Sequence, residues 1–177
     1  MAFQVPEKGY RNRTKKLAGT ALLLAFAMAL SYVETLIPLS FGVPGVKLGL
    51  PNLAVLLALY LLGTGQAFTV DLLRIVLAGF MFGNMYGILY SLAGGILSFG
   101  VMLLFRHVKL FGIGGVSMGG GVFHNIGQLL VAYYTVRSVG LFYYVPVLLC
   151  SGVLTGLLIG IIAKSVLPYI SHLGGEL

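Results

Sequence analysis

Charged residues are scarce in this chain of 177 residues and make up only 8% of it. Between Leu17 and Ala163 the acidic residues are Glu34 and Asp71, and the longest stretch without charge is Ile75–Phe105. A soluble domain of this length cannot bury a chain that is 59% hydrophobic. About 20 apolar helical residues cross a hydrocarbon core about 30 Å thick. We therefore expect a multi-pass, all-α protein of the plasma membrane.

Several catalytic motifs are absent as well. The glycine-rich stretch Gly112–Gly121 lacks the Gly-Lys-Ser or Gly-Lys-Thr ending of a phosphate-binding loop, so it does not support ATP hydrolysis. No Asp-Asp-x-x-Asp sequence is present to hold magnesium on a diphosphate. His124 has no cysteine or acidic neighbour in sequence and makes a poor metal site, and the single cysteine, Cys150, excludes an intramolecular disulfide. We expect no enzyme activity, metal or cofactor in this chain.

The net charge of +7 is concentrated before the first apolar run, in residues 8–16. This distribution is typical of a cytoplasmic N-terminus and favours attraction to anionic membrane lipid. It offers no aromatic-lined basic groove, so nucleic acid is excluded as a partner. The chain divides into a basic cytoplasmic segment (1–16), a single six-helix transmembrane domain (17–167) and a short cytoplasmic tail (168–177).

Proline, glycine and polar residues divide the apolar part into six predicted helices. They are about Leu17–Leu36, Pro51–Leu62, Gln66–Phe82, Tyr86–Phe105, a fifth that follows the glycine-rich stretch and ends near Thr135, and Leu141–Leu167, with Pro168 as the stop. Six crossings place both termini in the cytoplasm and put Lys47 and Arg137 outside. Because the second and third helices are short, a re-entrant hairpin is the main alternative.

Small residues recur every four positions on two of the predicted helices. These stripes are Ala21, Ala25 and Ala29 on the first helix and Gly152, Gly156 and Gly160 on the sixth. Small side chains let helix backbones approach closely in lipid. We expect the glycine stripe to pack inside the protein, whereas the alanine stripe suits a contact with another protein equally well.

Polar groups inside a membrane are costly and often functional, which makes two helices of interest. Asp71 and Arg74 lie three residues apart and are expected to form a structural ion pair, the alternative being that Arg74 serves a substrate anion or a partner protein. His124, Asn125 and Gln128 form either a substrate-binding face or hydrogen bonds between helices.

A third group of candidates lies near the predicted outer surface and consists of Glu34, Lys47, Asn52 and Asn84. Glu34 either pairs with Lys47 or binds a cationic or hydroxyl group of a ligand. Tyr86 and Tyr90 are further candidate contacts, although tyrosines at this level are also typical of an interfacial aromatic belt. An apolar pocket with a few polar groups suits a flat, partly hydrophobic small molecule.

Four segments resemble a small bacterial family known as Gx transporters, also labelled heptaprenyl diphosphate synthase component I. The segments are Lys16–Pro38, Pro44–Leu53, Ser91–Gly95 and His124–Leu129. The resemblance covers about Lys15–Lys164, and its most specific strings are Pro-Gly-Val-Lys-Leu-Gly and His-Asn-x-Gly-Gln. That family is similar in architecture to the S subunits of energy-coupling factor transporters.

The resemblance to S subunits implies six helices and an outer pocket that the first connector, Ile37–Asn52, covers as a lid. It implies that the alanine stripe docks on a transmembrane coupling subunit and that separate cytoplasmic ATPases supply the energy. The chain would then be the substrate-binding subunit of an uptake transporter for a vitamin-like or partly hydrophobic molecule. The synthase label implies instead a non-catalytic membrane accessory subunit of prenyl diphosphate or quinone synthesis. A membrane subunit of a flavin- or quinone-linked redox system is the remaining alternative.

Overall fold

The computed structural model describes residues 7–37, 49–108 and 111–176, with side chains for residues 13–37, 49–108 and 111–170. In these parts of the chain every regular element is a helix, so the predicted all-α class is confirmed. The helices are α1 (Glu7–Leu36), α2 (Asn52–Leu61), α3 (Thr64–Phe82), α4 (Met85–His107), α5 (Ile113–Val136) and α6 (Val145–Glu176), with a 3-10 helix (Val139–Tyr144) before α6. α1, α2 and α3 contact one another, α5 packs between α4 and α6, and contacts of α3 with α4 and of α2 with α6 join the two sets.

One face of α1 is buried and another carries the alanine stripe. Leu23, Ala27 and Ser31 are buried, as expected for residues four apart that share a helix face. The exposed residues of the same helix include Ala21, Ala25 and Ala29. The stripe therefore faces away from the rest of the bundle.

The short helix α2 lies in the interior and contacts α1, α3 and α6. Six consecutive residues, Ala54 to Leu59, are buried, a pattern typical of a helix that is enclosed on all sides. Gly63 adopts a φ of +97°, which glycine tolerates best, and reverses the chain into α3. The ten residues of α2 rise roughly 15 Å, about half the thickness of a hydrocarbon core.

The glycines of α6 allow it to lie directly against α5. A Cβ atom at Gly156 would lie 2.6 Å from Met118 Cα, and one at Gly160 would lie 2.7 Å from Gly114 Cα. Both neighbours are backbone atoms, so only glycine permits this approach. The predicted packing of the glycine stripe inside the protein is confirmed.

Three predicted helix boundaries are wrong. The first helix does not begin near Leu17, since α1 already begins at Glu7. The stretch Gly112–Gly121 does not precede the fifth helix, since α5 begins at Ile113. Close backbone packing on α4 and α6 compensates for the low helix propensity of glycine. Pro168 does not end the sixth helix, since α6 continues through it to Glu176. A proline removes one backbone hydrogen bond and bends a helix, but tertiary surroundings allow the helix to continue.

Four described helical spans are long and apolar enough to cross a membrane. They are Arg13–Leu36, Thr64–Phe82, Met85–His107 and Val139–Ile170. The prediction of a multi-pass membrane protein is confirmed, whereas the six crossings and the cytoplasmic termini stay predictions. α5 has 24 residues, but its glycines and polar side chains lower its mean hydropathy, and it is not among these spans.

Candidate functional site

A cavity of about 100 Å³ lies between α1, α3, α4 and α5. The residues that line it are Ser31, Glu34 and Thr35 of α1, Gly49 before α2, Arg74, Ile75, Ala78, Gly79 and Phe82 of α3, Gly83 directly after α3, Gly87 and Ser91 of α4, and His124 of α5. Pockets for drug-sized ligands have roughly 300–1,000 Å³. This cavity therefore has room for a small molecule or for one end of a larger one.

Glu34 connects the end of α1 to the chain that enters α2. Its Oε1 atom accepts hydrogen bonds from the backbone N–H groups of Gly49 and Leu50, the latter at 3.3 Å. A carboxylate that accepts from backbone N–H groups is a strong, charge-assisted partner. Glu34 thus fixes the position of Gly49, which also lines the cavity.

Arg74 joins the middle of α3 to the first residue of α2. Its Nε and Nη2 atoms donate to Asp71 Oδ1 at 3.0 and 2.7 Å, and Nη2 also donates to Asn52 Oδ1 at 2.9 Å. Only 4% of Asp71 and 6% of Arg74 is exposed. Arg74 lines the cavity and Asp71 does not, so the ion pair presents one of its two members to this space.

The three polar residues of α5 have different surroundings, although all are buried. His124 lines the cavity, and its Nε2 atom lies 3.1 Å from Gln128 Nε2, one turn along the helix. Asn125 faces α6, where its Nδ2 atom donates to Leu148 O at 2.8 Å and to Ser151 Oγ at 3.2 Å. Asn125 therefore makes the hydrogen bonds between helices that were the predicted alternative, while His124 lies where a ligand could contact it.

Asn84, Tyr86 and Tyr90 do not line the cavity. Asn84 precedes α4, and its side chain accepts a hydrogen bond from the backbone N–H of Gly87 at 2.8 Å, which is the role of a helix N-cap. Tyr86 is 68% exposed and Tyr90 is half-buried. The cavity instead meets Gly87 and Ser91, whose face of α4 is rotated by one residue from that of the tyrosines. Ligand contact by these three residues stays a prediction.

Hydroxyl side chains outside the predicted site residues also border the interior spaces. Ser31, Thr35 and Ser91 line the cavity. A second space of about 10 Å³, sufficient for roughly one water molecule, is lined by Asn52, Ser98, Ser117, His124, Asn125 and Thr155 among others. These serines and threonines lie on apolar helices. Ser91, Ser98, Ser117 and Thr155 have a glycine three or four residues away, whereas Ser31 and Thr35 have no such signal in the sequence.

Arg106 holds the opposite end of α2. Its Nη1 atom donates to Leu59 O at 2.9 Å, and its guanidinium carbon lies 5.1 Å from the centre of the Tyr60 ring. The bond satisfies a carbonyl near the end of the helix, where carbonyl groups lack partners within the helix. Arg74 and Arg106 thus contact the two ends of one buried helix.

Lys47 and residues 38–48 of the predicted lid lie outside the described residues. The structure therefore does not test the predicted pairing of Glu34 with Lys47. In the described part of the chain, no three His, Cys, Asp or Glu residues are grouped closely enough to hold a metal ion.

Comparison with known proteins gives one family. Residues 23–166 match the sequence model of a family described as heptaprenyl diphosphate synthase component I. No curated protein and no solved structure matches the chain. Similarity to the S subunits of energy-coupling factor transporters stays a prediction. Because the match covers most of the chain, including every residue that lines the cavity, the chain belongs to the heptaprenyl diphosphate synthase component I family.

Proposed function

We propose that this chain is a small-molecule-binding membrane subunit that takes part in uptake in the manner of an S subunit. The observation that carries the proposal is the cavity. Glu34, Arg74 and His124 come from three different helices and border one space in a protein that is 59% hydrophobic. Ionisable residues inside membrane-spanning segments typically mark a substrate or ion pathway.

The exposed alanine stripe of α1 supports a role in a complex. Ala21, Ala25 and Ala29 form a smooth strip that faces away from the other helices. In lipid, such a strip favours close contact with another transmembrane helix. We propose a transmembrane coupling subunit as the protein that binds it, with cytoplasmic ATPases bound to that subunit as the source of energy.

Native mass spectrometry of the protein, purified in mild detergent from the cells that make it, tests this proposal. We expect the wild-type protein to retain a transmembrane subunit and a bound small molecule. An Ala25→Leu variant should lose the transmembrane subunit, since leucine prevents close helix approach. A matched control is Gly100→Leu, because Gly100 on α4 is exposed and a Cβ there meets open space. Full retention of partner subunits by the Ala25→Leu variant, with no small molecule bound to either protein, contradicts the proposal.

A second candidate function follows from the family description, which calls its members a synthase component. In that case the chain is a non-catalytic membrane subunit that binds a soluble prenyl diphosphate synthase at its cytoplasmic side. Residues 8–16, Arg106 and Lys109 would supply the basic contact surface. Prenyl transfer by the soluble enzyme, measured with and without this chain in vesicles, separates the two proposals. An unchanged rate rejects the accessory function.

A further inference from the structure

We propose that Arg74 selects the molecule that occupies the cavity. The end of the molecule that enters first must carry an oxygen atom that accepts a hydrogen bond from Arg74. The proposal rests on the proposed function in one respect, namely that a small molecule occupies the cavity. It adds the chemical class of that molecule, a neutral carbonyl compound, and assigns a binding role to a residue whose ion pair could otherwise be regarded as structural only.

The hydrogen bonds of Arg74 leave one side of its guanidinium group available. Arginine has five N–H donors on three nitrogens. Nε and Nη2 donate to Asp71 and Asn52, whereas Nη1 has no hydrogen-bond partner among the described residues. Since Arg74 is 6% exposed and lines the cavity, we infer that Nη1 faces this space.

The charges around the cavity favour a neutral acceptor. Asp71 already offsets the charge of Arg74 at a distance of 2.7 Å. A carbonyl oxygen satisfies Nη1 without adding charge, so a ketone or amide is a better match than a carboxylate or a phosphate.

The selection arises when the entering molecule displaces water from the cavity. A buried donor that loses its partner carries the full cost of desolvation, which corresponds to about a tenfold loss of affinity or more. A hydrocarbon end leaves Nη1 without an acceptor, whereas a carbonyl end replaces the water. A molecule with a carbonyl head and an apolar tail therefore enters head first.

Three small probes test this selection, namely cyclopentanone, cyclopentane and acetate. Cyclopentanone and cyclopentane have nearly the same shape and differ by the carbonyl oxygen, and acetate supplies an anionic oxygen. Their affinities are obtained from the rise in the thermal unfolding midpoint of the detergent-purified protein with probe concentration. Three proteins are compared. The first is the wild type, and the second is the double variant Asp71→Asn/Arg74→Met, in which neither member of the ion pair is left as a charge without its partner. The third is Arg106→Met, the matched control outside the cavity.

We expect cyclopentanone to bind the wild type more tightly than either other probe. Its affinity should fall about tenfold in Asp71→Asn/Arg74→Met and stay unchanged in Arg106→Met. Cyclopentane should bind the double variant at least as well as the wild type. Equal cyclopentanone affinity in the wild type and the double variant overturns the proposal, as does the absence of any shift with cyclopentanone in the wild type. Tighter binding of acetate than of cyclopentanone overturns the neutral-carbonyl assignment.

A second variant serves if the double variant does not fold. Arg74→Lys keeps a positive charge beside Asp71 but replaces the planar group with a single ammonium. It should reduce the preference for cyclopentanone over cyclopentane, and Arg106→Lys should not; an undiminished preference in Arg74→Lys overturns the selection by Nη1. Failure of this test leaves the proposed uptake function standing, because that function is judged by native mass spectrometry, from the coupling subunit and the small molecule that the protein retains.

Discussion

Arg74 donates a hydrogen bond to Asn52 at 2.9 Å and so ties the middle of α3 to the first residue of α2. The same guanidinium group is bonded to Asp71 and borders the cavity. At the other end of α2, Arg106 holds the carbonyl group of Leu59. A buried helix whose first residue borders the smaller space is therefore attached at both ends to longer neighbouring helices.

The first prediction concerns the ion pair. Arg74→Met leaves Asp71 as a buried charge without its partner and should lower the free energy of unfolding by about 3–5 kcal/mol. Asp71→Asn/Arg74→Met removes both charges and should lower it by less. Unfolding in mixed detergent, followed by circular dichroism, measures both values. Equal losses in the two variants show that charge pairing at Asp71 contributes little.

The second prediction concerns the α5–α6 contact. Gly156→Ala places a methyl group 2.6 Å from Met118 Cα, which forces the two helices apart and should destabilise the protein by about 1–3 kcal/mol or more. Gly100→Ala meets open space and should be neutral or raise stability by up to about 1 kcal/mol. The same unfolding measurement serves for both. A stable Gly156→Ala protein is incompatible with the observed backbone contact.

The third prediction compares two asparagines with different roles. Asn125→Ala removes the bonds from Asn125 to Leu148 O and Ser151 Oγ, which join α5 to α6, at an expected cost of about 0.5–1.5 kcal/mol for each bond. Asn84→Ala removes an exposed N-cap and should cost about 1 kcal/mol. Thermal unfolding in detergent ranks the two variants. The opposite ranking rejects the interhelical role of Asn125.

The fourth prediction concerns the far end of α2. Arg106→Gln removes the bond to Leu59 O, and the last turn of α2 should then open more often. Hydrogen–deuterium exchange of the Leu62 and Gly63 amides, which bond to Ala58 O, should become faster. The exposed Arg13 on α1 provides the control Arg13→Gln, for which exchange at these amides should not change.

The fifth prediction tests the orientation of α5. In a Cys150→Ser background, single cysteines replace His107 at the end of α4 and Ser138 after α5, both of which are exposed. Six crossings with a cytoplasmic N-terminus predict that a membrane-impermeant thiol reagent labels position 138 from outside and position 107 only after permeabilisation. Labelling of both positions from the same side shows that α5 does not cross.

The membrane class and most helix positions follow from the sequence, because apolar runs of this length rarely form anything other than membrane-spanning helices. Both ends of the predicted third and fourth helices lie within two residues of the corresponding ends of α3 and α4. The errors at Gly112–Gly121 and Pro168 have a common cause. Local propensity argues against helix at these positions, and contacts with other helices, which a single sequence does not show, decide the outcome.

The candidate site was predicted only in part. Glu34, Asn52, Arg74 and His124 stand out in the sequence because they are polar groups in an apolar chain, and the structure brings them to adjoining cavities. Ser31, Thr35 and Ser91 were missed, since a hydroxyl group on an apolar helix gives little signal. Tyr86 and Tyr90 lie one residue out of register with the cavity-facing side of α4, a rotation that depends on how the helices pack.

The length of α2 has a consequence for how the protein is made. A ten-residue segment is too short for the bilayer to hold on its own as the chain leaves the ribosome. Its insertion must wait for α1 and α3 to form a surface that receives it, and α6, which also contacts it, is synthesised last. Chains truncated before α6 should therefore leave α2 incompletely covered and be degraded by membrane proteases.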